Sequence, residues 1–215
     1  MSSSKSTDQS YEKPETHEAR VSYGFGWQFG RQMHQNNFEG LDVEVVVQAI
    51  RQCFAGEKSM LDENELNEAY DAIKEKRKAV EQKRREDYKE LCATFLSENA
   101  KRDGVIVTES GLQYEVLEQG DGPLPTIDNV VRTHYHGSFI DGQVFDSSVT
   151  RNEPAEFEVN QVIPGWTEIL LMMPVGSKYR IAVPYQLAYG EAGSAPSIPG
   201  FATLMFEIHL MDIVR

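Results

Sequence analysis

The chain has 215 residues and a formal charge of −13, from 21 basic and 34 acidic side chains. That length fits one or two domains and needs neither disulfides nor a metal to hold a core, while the acidity excludes the broad basic face that a nucleic-acid partner requires. Nothing nears the ~18 apolar residues of a membrane span, and the opening MSSSKSTDQSYEKPETHEA lacks the apolar stretch of a secretory signal, so a cytoplasmic protein with no membrane partner is expected.

Proline divides the sequence. After Pro14 there is none until Pro123, and the resulting span of 108 residues invites helices, because an interior proline costs a helix ~3 kcal/mol. The polar tail 1–19 is expected to be disordered. From Val21 a helical pattern begins, with Ser22 as a candidate N-cap and Phe25, Phe29 and Met33 recurring every four residues. Gly26 and Gly30 share one face, where the missing side chains would let another backbone approach. The segment GFGWQFG has neither the preceding strand nor the following Lys-Ser/Thr of a phosphate loop.

Asp42 caps a second helix with the stripe Val43, Val46, Val47, Ile50 and Phe54, closed by Gly56. Cys53 on this helix and Cys92 lie 39 positions apart, which is no metal-ligand spacing and suits a reducing compartment. A third helix begins near Asp62 and meets no breaker before Gly104; spanning 62–103, it would extend roughly 60 Å. Its middle, KEKRKAVEQKRRED at 74–87, has only Ala79 and Val80 as apolar side chains, which predicts a solvated rod packed only at its ends. Four acids interleave the seven bases there, so it reads as a solvated face rather than a nucleic-acid patch. Residues 20–104 form a helical domain whose apolar stripe and glycine face, with Phe25, Phe29, Gly30, Val46 and Ile50, predict a homodimer.

After Gly104 the period changes to two. Leu112, Tyr114 and Val116 alternate with polar neighbours, VVRTHYHG at 130–137 follows, and Asp141-Gly142 marks a hairpin turn before QVFDSS. FEV at 157–159, GSKYRIAVP at 176–184 and the alternating Leu204, Phe206, Ile208 and Leu210 read as further strands, with one short helix at 166–173. The whole predicts an α+β chain: a helical dimerisation domain, then an antiparallel half-barrel of five or six strands wrapped on a short helix over 105–215.

Six motifs occur in one order: HYHG at 134–137, DGQVFDSS at 141–148, VIPGW at 162–166, PVGSKYRIAVP at 174–184, AYG at 188–190 and ATLMFEIHL at 202–210. In these the chain resembles FKBP-type peptidyl-prolyl cis–trans isomerases over essentially all of 105–215. SYGFGWQFG, EGLD at 39–42 and AGE at 55–57 before a long helix resemble the dimerisation region of the bacterial Mip-like branch. The resemblance implies an enzyme that isomerises X–Pro bonds during protein folding, without a cofactor. Its implied partners are proline-containing unfolded or partly folded polypeptides, a second copy of the chain, and the macrolide inhibitors tacrolimus and rapamycin. It is also compatible with chaperone-like client binding between the arms of a dimer whose long helices hold the two isomerase domains apart. The alternative is a non-catalytic chaperone or docking module using the same pocket.

By the same resemblance Trp166 is the floor of an aromatic cup. Tyr135, Phe145, Phe157, Val162, Ile163 and Phe206 line it, and Ile198 sits at the tip of a rim loop. Asp146 lies against the pocket, held by Tyr135 and Arg151, while Tyr189 and the Ile163 backbone N–H meet the substrate carbonyl. The implied catalytic residues are Tyr135, Asp146 and Tyr189. Read from the residues alone, the aromatics are core and Asp146 is a turn former. His134 and His136 share a strand face at i,i+2, but no third ligand accompanies them and no metal is expected. Two positions depart from the family pattern: Ala155, where an aromatic is frequent, and Gly200, where a second proline is usual. They predict a retained but looser rim.

Overall fold

The computed structural model describes residues 12–215; residues 1–11 of the tail expected to be disordered lie outside them. The chain divides into two compact units at Lys78, inside its longest helix.

In the first unit, α1 (His17–Gln35) starts earlier than expected, because Thr16 rather than Ser22 is the N-cap and accepts from the Ala19 amide at 3.1 Å. Pro14 stands just upstream, and Glu18 in the first turn complements the helix dipole. The Ser22 hydroxyl instead donates to the Glu18 carbonyl. Helix α2 (Val43–Phe54) is capped as expected, with Asp42 accepting from Glu44 and Val45. Neither helix has a buried residue. Phe25 is 69% exposed and Phe54 94%, and only Met33, Val46 and Val47 of the two stripes are half-buried, so the described residues leave most of both stripes uncovered.

Helix α3 (Glu63–Asn99) opens on a reciprocal cap in which Asp62 accepts from the Glu65 amide and Glu65 from the Asp62 amide, both at 2.9 Å. Residues 74–87 are exposed throughout. The helix stops at Asn99 rather than 103 and runs through turns to Gly104 at φ 82°, while the Asn99 side-chain Nδ2 donates to Gln113 Oε1 at 2.8 Å. Its second half belongs to the second unit: Cys92 is buried, Tyr88 packs on the core, and Gln113 donates to the Leu96 carbonyl at 2.8 Å. The division therefore falls at 78/79, ahead of the expected 104/105, since the stripe Tyr88, Cys92, Leu96 and Asn99 needs the sheet to cover it.

The second unit is a seven-stranded sheet in the order β1-β2-β6-β7-β3-β4, with β5 paired to β3, and every pairing is antiparallel. The strands are β1 (Val105–Val107), β2 (Gln113–Glu118), β3 (Val130–Phe139), β4 (Val144–Ser147), β5 (Ala155–Glu158), β6 (Lys178–Val183) and β7 (Leu204–Ile213). Two short helices interrupt them, α4 (Ser148–Arg151) and α5 (Pro164–Leu170). The central β7 buries Leu204, Phe206, Ile208 and Leu210 as its alternation predicts. On α5, Trp166, Ile169 and Leu170 close the core from the concave face. Strand β2 departs from its pattern: Gln113 is buried and Val116 exposed, with a register shift between Val116 and Glu118.

Candidate active site

The site is assembled where β3, β4, β5 and β7 face the first turn of α5. Pro164 begins that helix, and the Trp166 amide donates to the Ile163 carbonyl, fixing the indole over the sheet. Trp166 is buried and meets three rings edge-on, with centroids 5.4 Å from Tyr135, 5.4 Å from Phe157 and 5.3 Å from Phe206. Phe145 meets Phe206 edge-on at 5.5 Å. Edge-to-face contacts at these spacings stabilise beyond the area they bury and hold each ring in one orientation. Val162 and Ile163 pack against this set half-buried, and Ile198 is buried with it. Gly137 makes the arrangement possible: a Cβ there would lie 2.8 Å from Phe145 and 2.9 Å from Phe206. Phe139, which the sequence reading passed over, extends the wall at 5.1 Å from Phe145. Its place at i+4 from Tyr135 on one strand was the available signal.

Three polar groups tie the wall together. The Tyr135 hydroxyl donates to Asp146 Oδ2 at 2.5 Å, Arg151 forms an ion pair with the other carboxylate oxygen, and Arg151 Nη2 donates to the Tyr135 hydroxyl at 3.0 Å. Burial pushes the Asp146 carboxyl up, but the hydrogen bonds from Tyr135 and Arg151 and the adjacent charge outweigh it, so the group sits below the ordinary carboxylate range. Burial, then the bond to Asp146, pushes the Tyr135 phenol above its ordinary value. Arg151 is thus engaged with Asp146 and Tyr135. It reaches them from α4, whose N-cap Ser147 accepts from Thr150 and whose end is set by Asn152 at φ 53°.

Two serines fix the strand beneath. Buried Ser148 accepts from the Tyr135 amide at 2.7 Å and lies 3.1 Å from His134 Nδ1; Ser147 lies 3.0 Å from His136 Nδ1. Both histidines are therefore hydrogen-bonded to serines. Tyr189 stands outside the aromatic set, 44% exposed at the start of the loop before β7. Among the described residues its hydroxyl has no partner and the Ile163 N–H donates to no protein acceptor, so both are free to meet a ligand. Ala155 lines the same face of β5 as Phe157 and packs half-buried on the core.

The rings of Tyr135, Phe145, Phe157, Trp166 and Phe206 form one edge-to-face cluster with an anchored carboxylate beside it, on an antiparallel sheet wrapped around a short helix. The family profile described as "FKBP-type peptidyl-prolyl cis-trans isomerase" matches residues 122–211, and "Domain amino terminal to FKBP-type peptidyl-prolyl isomerase" matches 18–116. The chain is 46% identical over 200 residues to the FKBP-type 22 kDa peptidyl-prolyl cis-trans isomerase of Escherichia coli K12, covering 93% of this chain and 97% of that one. It is 35% identical over 206 residues to the outer membrane protein MIP of Legionella longbeachae, covering 93% and 87%. The crystal structure of FkpA from Escherichia coli superposes with a TM-score of 0.78 at 33% identity, covering 94% of this chain and 98% of that one. The chain belongs to the FKBP-type peptidyl-prolyl cis–trans isomerases, with the helical N-terminal domain of the FkpA and Mip-type members.

Proposed function

We propose that this enzyme isomerises X–Pro bonds by seating the proline ring on Trp166, inside the box formed by Tyr135, Phe145, Phe157 and Phe206. The barrier to rotation, ~18–20 kcal/mol, comes from amide resonance, and rotation takes tens to hundreds of seconds without help. No covalent step is needed. Twisting the amide localises the nitrogen lone pair and reduces charge separation, so a water-poor apolar box favours the twisted form over the planar one. Holding the ring while the preceding carbonyl swings supplies orientation, and the free Tyr189 hydroxyl and Ile163 N–H are acceptor-seeking groups for that carbonyl. The observation that carries this reading is the Asp146–Tyr135–Arg151 linkage, which locks the wall against Trp166. Asp146→Ala should lower kcat/KM by about tenfold or more while circular dichroism stays unchanged. Wild-type activity in that variant, with unchanged tacrolimus affinity, would contradict the assignment.

The working form in this reading is a homodimer joined through residues 21–60. The absence of buried side chains on α1 and α2 supports it, as does a groove of about 820 Å³ on α1 lined by Tyr23, Gly26, Trp27 and Gly30. A helix gains most of its stability from packing an apolar face, and a second copy offers matching faces. Beyond the helix's own adjacent backbone, none of the described residues comes within 4 Å of a Cβ built on Gly26 or Gly30, leaving that face open for close approach. Two cups in one particle would let an unfolded client make a second contact intramolecularly, at an effective concentration near millimolar; this is the basis for chaperone-like binding. The exposed thiol of Cys53 suits a reducing compartment, the cytoplasm; cell fractionation tests that placement.

A further inference from the structure

The loop between Tyr189 and Phe201 carries one candidate contact at its start and another, Ile198, near its end, and its fold is demanding. Ser194 and Ile198 exchange backbone hydrogen bonds across it, both 2.8 Å. A Cβ on Gly200 would lie 2.1 Å from the Glu191 carbonyl oxygen, so the glycine that departs from the family pattern is the residue this conformation requires. Phe201 follows at φ 63°, a region that a bulky side chain occupies only when its surroundings hold it there. Part of the hold is local: the Phe201 amide donates to the Gly190 carbonyl at 3.1 Å, and Tyr185 meets its ring edge-on at 5.2 Å. The rest comes from α3. Lys89 Nζ lies 4.9 Å and Arg85 Cζ 5.4 Å from the ring centroid, and Arg85 also donates to the Glu191 carbonyl at 3.0 Å, the group against which Gly200 packs. One helical step on, Cys92 Sγ accepts from the Thr203 amide at 3.5 Å. Residues 85, 89 and 92 form one face of the helix, and that face grips both ends of the loop.

We propose that Arg85 and Lys89 are positioning residues for the isomerase: α3 clamps the loop at Glu191 and Phe201 and thereby presents Tyr189 and Ile198 to the substrate. The clamp rests on the isomerase reading of the cup, which Asp146→Ala tests separately at the cup itself. In the full-length chain, combined Arg85→Ala and Lys89→Ala should raise KM for a proline tetrapeptide about five- to tenfold with kcat within about twofold, because a held loop serves bound ground and transition states alike. Amide exchange across 190–201 should accelerate in the same variant. Arg84→Ala, whose guanidinium pairs with Glu81 at 3.1 Å, should leave both constants and the exchange unchanged. Lys89→Arg, which keeps a cation over the ring, should retain the wild-type KM. In an Ile198→Ala background the double substitution should lose most of its effect, because both act through the same loop. Unchanged KM and exchange in the double variant would overturn the proposal, as would full additivity in the Ile198→Ala background.

Discussion

Asp146 is held as an anion, and its surroundings set the pH range over which it keeps that charge. Its carboxyl is held below the ordinary value, so it stays ionised until the pH falls through that lowered value, while the raised Tyr135 phenol keeps its proton into the alkaline range. The stability this carboxylate contributes is fully present above the unfolded-state carboxyl value and is lost as pH falls through the folded one. The profile of kcat/KM should therefore be flat from about pH 5 to about pH 9 and fall only on the acid side; a titration near neutrality would show that a different group sets the rate. The candidate site was legible only through the family resemblance that HYHG, DGQVFDSS and VIPGW carry; from the residues alone Tyr135, Phe145 and Trp166 read as core and Asp146 as a turn former. Ser147 and Ser148 were not legible as strand locks, since a hydroxyl bonded to its neighbours' backbone leaves no periodic trace. Nor did the sequence explain Gly200, whose reason is a carbonyl nine residues away in the chain.

At the level of elements, alternation carried the strands that bury one face, and capping carried a helix that buries none. Strand β7 was readable from Leu204 to Leu210 because alternate residues are buried, and α2 from its Asp42 cap and apolar stripe although it buries no residue. Strand β1 was missed because three residues are too few to show a period, and α4 because its four residues form a single turn between strand and loop. The start of α1 was misplaced by reading apolar spacing alone, while Thr16 and Glu18 supplied the cap and charge. Helix α3 is the element that most needs a test. Residues 74–87 bury nothing and persist as helix through propensity and charged pairs such as Glu81–Arg84. Val80→Pro should break the helix there at a cost of ~3 kcal/mol. Activity on short peptides should survive, because the cup and the segment 85–99 that packs on it lie beyond the break, whereas the rate of a proline-limited refolding reaction should change. Equal loss of both activities would show that residue 80 supports the cup itself.

For the whole molecule, α1 and α2 bury no residue among the described ones, and the proposed assembly covers their apolar faces with a second copy. Sedimentation should give a dimer at micromolar concentration, and Gly30→Leu should weaken it by filling a face that no other element among the described residues covers; a wild-type monomer at that concentration would contradict the assembly. Everything assigned to that assembly depends on the cup being the catalytic site. The most direct measurement follows the cis–trans isomerisation of a short X–Pro peptide by the full-length protein while tacrolimus is titrated in. The rate should exceed the uncatalysed rate and fall back to it as the drug becomes equimolar with the chain, because ligand and proline ring compete for the same box over Trp166. Acceleration that survives saturating drug, or no acceleration at all, would contradict the account.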